Sequence, residues 1–184
     1  MKRPTFGASA LTLLLLFALS ACAGKSSQMQ EQTAPSEFED ENAAADGIQR
    51  MHPYDFPDTL RTGAHTYICT IHREADESLP LVEDEEGTCY ADNRYTLAIQ
   101  CDGQTFFNRS FTKATFASYL SKEFLENGLL DGMMLDKSLP GLVFAVSVTL
   151  PQSDMVEPLL LHVDNGGGIS IERDIRSEND FEEQ

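Results

Sequence analysis

The chain has 184 residues, with 13 Lys and Arg against 30 Asp and Glu, a formal net charge of −17 at pH 7. An acidic surface of that strength repels phosphate backbones and anionic headgroups, which excludes nucleic acid and anionic lipid as electrostatic partners. Tryptophan is absent, so a sugar-stacking platform would fall to the tyrosines, and those on strand parity read as core.

The N-terminus opens Met1-Lys2-Arg3 and continues into an apolar run from about Ala8 to Ala18. That run is shorter than the roughly 20 residues a membrane-spanning helix needs. A charged start before a short apolar core reads as a secretion signal over residues 1–21. The run ends Leu19-Ser20-Ala21-Cys22, which resembles the lipobox of bacterial lipoproteins. The resemblance implies cleavage before Cys22 and lipidation of its thiol, with acyl chains such as palmitate. Each buried CH₂ contributes about 0.8 kcal/mol, so two or three chains hold where one would not. Losing residues 1–21 removes Lys2 and Arg3 and no acid, which takes the net charge to −19. Ala23 follows the cysteine, and Gly24–Ser27 lacks an acidic pair. By the same resemblance the expected address is the cell envelope, lipid-anchored at the outer membrane and facing the periplasm.

Residues 22–60 read as the lipidated cysteine and an acidic tether. They are rich in Ser, Gln, Glu, Ala and Pro, with almost no aliphatic side chain before Ile48. Such a composition buries too little apolar area to offset chain entropy, and a flexible coil of this length spans roughly 35 Å. Asp58-Thr59-Leu60 resembles a short O-glycan acceptor motif, with Thr59 as the acceptor.

A single globular domain is expected over residues 61–175, followed by an acidic tail, 176–184. Alternation predicts strands at His65–Arg73, Arg94–Cys101, Gln104–Phe111, Leu142–Leu150, Pro158–Val163 and Ile169–Arg173. Asp102-Gly103 reads as a two-residue hairpin turn, and Asp164–Gly168 as a second turn. One segment reads as helix: Thr112 caps it, and Phe116, Tyr119, Leu120, Phe124 and Leu125 recur at spacings of three and four, with Ser121 as a point where it could break in two. Three strands, a helix and three strands predict an α+β domain: a mainly antiparallel sheet of about six strands with one helical segment packed on it.

Three cysteines follow Cys22 in sequence: Cys69, Cys89 and Cys101. An odd count leaves at least one unpaired within the chain. Cys69 and Cys101 share parity with apolar neighbours and read as small buried hydrophobes, with a Cys69–Cys101 disulfide as the alternative in an oxidising compartment. The stretch Glu74–Asp92 holds eight acids and no Lys or Arg. Its ordinary reading is a solvated acidic loop. A Ca²⁺ site built from Glu83, Asp84, Glu86 and Asp92 is the alternative, since hard cations take several oxygen ligands from a flexible loop. The spacing does not match the EF-hand pattern. His52, His65, His72 and His162 form no zinc motif, and no nucleophile motif is present. No other cofactor is expected.

The runs Leu79–Gly87, Tyr90–Asn93, Phe111–Lys113 and Pro151–Asp154 resemble an uncharacterised lipoprotein family of Bacteroides-type gut bacteria, known as a domain of unknown function. The resemblance covers about residues 60–175. It implies an envelope location and assigns no chemistry. The leading expectation is therefore a non-catalytic binding or interaction module that meets an envelope protein or a glycan. An envelope hydrolase using acidic residues and a Ca²⁺-stabilised structural domain are the alternatives.

Overall fold

In a computed structural model that describes residues 46–176, strand follows strand. They are β1 (Ile48–Gln49), β2 (Tyr54–Thr62), β3 (His65–Ala75), β4 (Val82–Glu83), β5 (Cys89–Tyr90), β6 (Asn93–Cys101), β7 (Gln104–Phe111), β8 (Leu129–Leu135), β9 (Leu142–Thr149), β10 (Val156–Val163) and β11 (Ile169–Arg173). Between β7 and β8 lie a 3-10 segment, Lys113–Tyr119, and the short helix α1, Lys122–Asn127. The expected signal segment, Cys22, the first part of the tether and most of the acidic tail lie outside the described residues.

Two four-stranded antiparallel sheets carry the fold, in the orders β2-β3-β6-β7 and β11-β10-β9-β8, and a small sheet β1-β5-β4 sits beside them. Alternation buries one face of each large sheet. Cys69, Ile71, Leu97, Ile99 and Phe107 from the first join Leu130, Phe144, Val146, Leu159 and Leu161 from the second in one apolar cluster. Two antiparallel sheets sharing a core in this way form a β-sandwich. Each fully buried Leu, Ile or Phe contributes roughly 1.5–3 kcal/mol, so the shared layer between the sheets dominates stability.

The expected α+β class is thereby corrected to a mainly β fold. The segment read as one helix is two short pieces, divided at Ser121, whose side chain accepts from the Phe124 amide. Phe116 and Phe124 are buried from these pieces, which explains the helical spacing without a long helix. The expected strands leave out β1, β2, β4 and β5 and, after the helical pieces, β8. A bulge between Leu130 and Gly132 shifts the pairing of β8 with β9, so the sandwich core takes Leu130, Met133 and Leu135 and the two-residue period breaks, while Leu129 is buried against Val82 and Tyr90.

Regular structure also starts before Arg61. β2 pairs with β3 along its whole length, from Tyr54 opposite Arg73 to Thr62 opposite His65. Further upstream, β1 runs parallel to β5. β2 is an edge strand, which accommodates Pro57 and needs few aliphatic side chains. Its polar composition made it read as tether. Arg50 bonds Asp46 and Glu77, so this stretch is held to the turn after β3.

Candidate functional site

β3 and β6 lie side by side with Tyr67 opposite Cys101 and Arg73 opposite Tyr95. Their inward faces are apolar at the middle and polar at both ends. The two polar ends differ in kind.

At the Arg73 end the polar groups are buried. Asn93 and Asp92 are 0% and 3% exposed. Asp92 Oδ1 accepts from the amides of Leu130 and Asn93, each at 2.8 Å. Its other oxygen lies 3.7 Å from Lys113 Nζ, and Lys113 also donates to the Gly128 carbonyl. Burial raises the Asp92 carboxyl above its ordinary value, against the pull of the Leu130 amide and Lys113. Burial likewise lowers the Lys113 ammonium, with Asp92 opposing. Asn93 Nδ2 donates to the Leu130 carbonyl at 2.9 Å and reaches Met51 Sδ at 3.1 Å. The Tyr95 hydroxyl donates to the carbonyl of the bulge residue Asp131. The Arg73 guanidinium lies 4.3 Å above the Tyr54 ring and donates to the His52 carbonyl at 2.8 Å. Arg73 Nε and Asn93 Oδ1 have no partner among the described residues. These contacts tie β8 and the strand-poor segment around Met51 to the first sheet, which is structural work.

At the His65 end the polar groups face solvent. Asp102 and Gly103 make the turn from β6 to β7, with φ of +50° and +83°. That is the left-handed geometry a two-residue hairpin requires, and Asp and Gly tolerate it. The Asp102 amide donates to the Thr66 carbonyl at 2.9 Å, and the Thr66 amide donates back to Asp102 Oδ1 at 2.9 Å. Asp102 Oδ2 therefore has a fixed position, 2.7 Å from His65 Nδ1 and 3.8 Å from Cys101 Sγ. His65 and the Thr66 amide hold the Asp102 carboxyl below its ordinary value. Among the described residues, His65, Cys101 and Asp102 are the group of three such donors that converge, with all three atoms within 4.8 Å of one another. Tyr67 packs edge-on against Phe106 at 5.8 Å. A shallow, open depression lined by Cys101, Asp102, Gln104, Thr105 and Phe106 adjoins them.

The residues singled out from the sequence are distributed differently. Asp84 Oδ1 accepts from the amides of Glu86 and Thr88, and Oδ2 accepts from the Tyr90 hydroxyl at 3.0 Å. Burial acts to raise this carboxyl, and these donors outweigh it, leaving it low. Gly87 closes the same turn at φ +85°. Glu83 and Glu86 are exposed nearby, whereas Asp92 is buried against β8. The structure does not gather the four carboxylates into one donor group, and Asp84 and Asp92 already serve donors of the chain itself. Cys69 and Cys101 are not bridged, and Cys69, Cys89 and Cys101 are all free. Cys69 stands opposite Ile99 and Cys101 opposite Tyr67, so the two cysteines are diagonal neighbours, roughly 7–8 Å apart, beyond ordinary disulfide reach. Burial pushes the Cys69 thiol up to about 12, as a small core residue. Thr59 is exposed on β2. His72 pairs with Asp55 and His162 with Glu172 across neighbouring strands.

A family model matches residues 34–171, about three-quarters of the chain. The chain belongs to DUF4738, a domain of unknown function. The DUF4738 match takes in every strand from β1 to β10 and most of β11, and it begins upstream of β1. No curated protein matches the chain. DUF4738 therefore supplies kinship for the sandwich and no activity for either polar end.

Proposed function

We propose that this DUF4738 protein is a non-catalytic binding module of the cell envelope, one of a lipoprotein family of Bacteroides-type bacteria. Lipid on Cys22 anchors it to the outer membrane on the periplasmic side, and the sandwich meets an envelope protein or a glycan. The observation that carries the binding role is the state of the perturbed groups. Asp92, Lys113, Tyr95 and Asp131 are shifted by burial. Asp92, Lys113 and the Tyr95 hydroxyl are all engaged with backbone amides, carbonyls or one another. Shifted groups at a reactive centre would instead face a cleft, and the depressions at the sandwich surface are shallow and open. The anchoring part rests on the lipobox at Leu19–Cys22. Among the described residues no helix is long and apolar enough to cross a membrane.

Feeding cells an alkyne analogue of palmitate tests the anchor. The wild-type chain should take up label and sediment with membranes, and Cys22→Ala should do neither. Label that persists in Cys22→Ala removes the anchor from the proposal. For the binding role, photocrosslinkers at the exposed positions Ile68 and Met134 should capture one discrete partner in intact cells. Turnover of an envelope polymer by the purified protein, abolished by a single carboxylate substitution, would replace binding with hydrolysis.

A further inference from the structure

We propose that His65, Cys101 and Asp102 form a zinc site at the exposed end of the first sheet. The case begins with the donor set. An imidazole nitrogen, a thiol and a carboxylate oxygen converge within 4.8 Å. Zinc is bound by these three ligand types, at about 2.0–2.3 Å in tetrahedral geometry. Two such bonds place neighbouring ligand atoms about 3.3–3.6 Å apart. His65 Nδ1 and Asp102 Oδ2 are now 2.7 Å apart, and Cys101 Sγ is 3.8 Å from that oxygen. A metal between them would need the first pair to open by about 0.6 Å and the second to close by about 0.2 Å, with His65 Nδ1 and Cys101 Sγ, within 4.8 Å of each other, settling at about 3.6 Å.

The scaffold supports that adjustment. Asp102 is fixed by a backbone bond to Thr66 and by the Thr66 amide on its other oxygen. That leaves Oδ2 as the coordinating atom and supplies the outer hydrogen bond that ligating carboxylates ordinarily have. Cys101 is the last residue of β6 and His65 the first of β3, so two of the ligands come from strand ends and the third from the turn that joins β6 to β7. On the side-chain face, Tyr67 and Phe106 form an aromatic wall.

The chemistry selects the ion. One carboxylate beside nitrogen and sulfur is a poor match for Ca²⁺ or Mg²⁺, which take oxygen ligands, and a good match for Zn²⁺. Binding replaces the thiol proton of Cys101 by the metal, with one proton released to solvent, and zinc undergoes no redox change. Three protein ligands leave a fourth position open toward the depression lined by Gln104 and Thr105, where a water or a partner's donor would sit. With His65 and Asp102 exposed, the site can exchange its ion.

Cobalt titration of the full-length protein tests the site, with Cys89→Ser as a control that keeps Cys101. One Co²⁺ per chain should bind with a sulfur-to-metal charge-transfer band. One equivalent of Zn²⁺ should abolish that band, and Ca²⁺ should leave it unchanged. The band should vanish in Cys101→Ser and persist in Cys89→Ser. His65→Gln and Asp102→Asn should weaken affinity by at least about tenfold, the order of loss that outer-shell changes alone can reach. Asn tolerates the left-handed turn and retains the oxygen facing Thr66, so Asp102→Asn separates ligation from folding; circular dichroism confirms the fold in each variant. No charge-transfer band in the wild type overturns the proposal. So does a band that survives Cys101→Ser, or affinity unchanged in both His65→Gln and Asp102→Asn.

Discussion

The same two strands end in opposite environments. At one end of the β3–β6 pair, Asp92, Asn93 and Tyr95 are buried and each bonds the backbone around Leu130 and Asp131. At the other, His65 and Asp102 are exposed and Cys101 is half-buried, and the three bond chiefly one another and Thr66. A polar group that is buried and bonded to backbone is committed to the fold, because losing one partner leaves the other unsatisfied. A polar cluster in water has no such obligation, so its convergence needs a different explanation. Substitutions at the two ends should therefore differ sharply in what they cost.

The largest expected effect is at Asp92. Asp92→Ala strands the amides of Leu130 and Asn93 and leaves Lys113 without its nearby carboxylate. Breaking a buried pair of this kind costs about 3–5 kcal/mol. Urea unfolding measures it as a lower midpoint, and a loss below about 1 kcal/mol would mean that this end is hydrated and the contrast between the ends false.

Gly132 comes next. It follows the bulge at Asp131, and a Cβ there would collide with Ser147 Oγ. Gly132→Ala should cost about 1–3 kcal/mol by overpacking. The double variant Gly132→Ala with Ser147→Ala should recover most of that, because the remaining Ser147 Cβ lies 3.6 Å away. A thermal-melt double-mutant cycle reads the recovery as a positive coupling. If the double variant is no better than the single, the bulge itself and not the side-chain contact sets the cost.

Why so much of the first sheet was legible, and β8 was not, follows from these residues. Tyr67, Cys69 and Ile71 on β3, and Tyr95, Leu97 and Ile99 on β6, alternate without interruption, and Asp102-Gly103 marks the turn. β8 carries its apolar residues out of phase because of the bulge at Asp131. β2 is an edge strand that turns only Tyr54, Asp58 and Leu60 inward, each half-buried, too sparse an alternation to read as a strand. The candidate site was hidden for another reason. His65 and Cys101 are separate in the chain and belong to no local motif. They meet only because the β3–β6 register places Tyr67 opposite Cys101. Asp102 announced itself as a turn residue, and nothing in its sequence neighbourhood says that its side chain turns back toward His65.

A smaller effect distinguishes carboxylates by pH. Burial raises Asp92, so its folded form prefers the proton. Its contribution to stability is full below the ordinary carboxylate value of 3.8 and is lost as pH rises through the higher folded value. Asp136, at the far end of β8 from Leu130, is held low by Ser138 and, against burial, by Arg176. Its contribution is present above 3.8 and is lost as pH falls through the lower folded value. The stability gap between wild type and Asp92→Asn should therefore shrink as pH rises from the acid side. The gap to Asp136→Asn should grow over the same rise. Parallel slopes in urea unfolding across this range would show that the two carboxylates share one environment.

The smallest expected effect is at the exposed end. In protein stripped of metal, His65→Ala and Cys101→Ser should each change stability by no more than about 0.5 kcal/mol, the ordinary range for surface substitutions. The His65 side chain is 58% exposed, and its bond to Asp102 competes with water at little net gain. Asp102 keeps its two links to Thr66 when His65 is lost, so the hairpin turn does not depend on the imidazole. Cys101→Ser changes one atom at a strand end. A cost of several kcal/mol for either variant would make this end part of the scaffold, equal in kind to the Asp92 end. A near-zero cost, with zinc added back stabilising the wild type and leaving Cys101→Ser unmoved, is the pattern of a site whose residues are arranged for an ion. Stabilisation by ligand follows from binding to the folded chain alone, so the size of that shift reports how far the turn at Asp102 has already assembled the three donors.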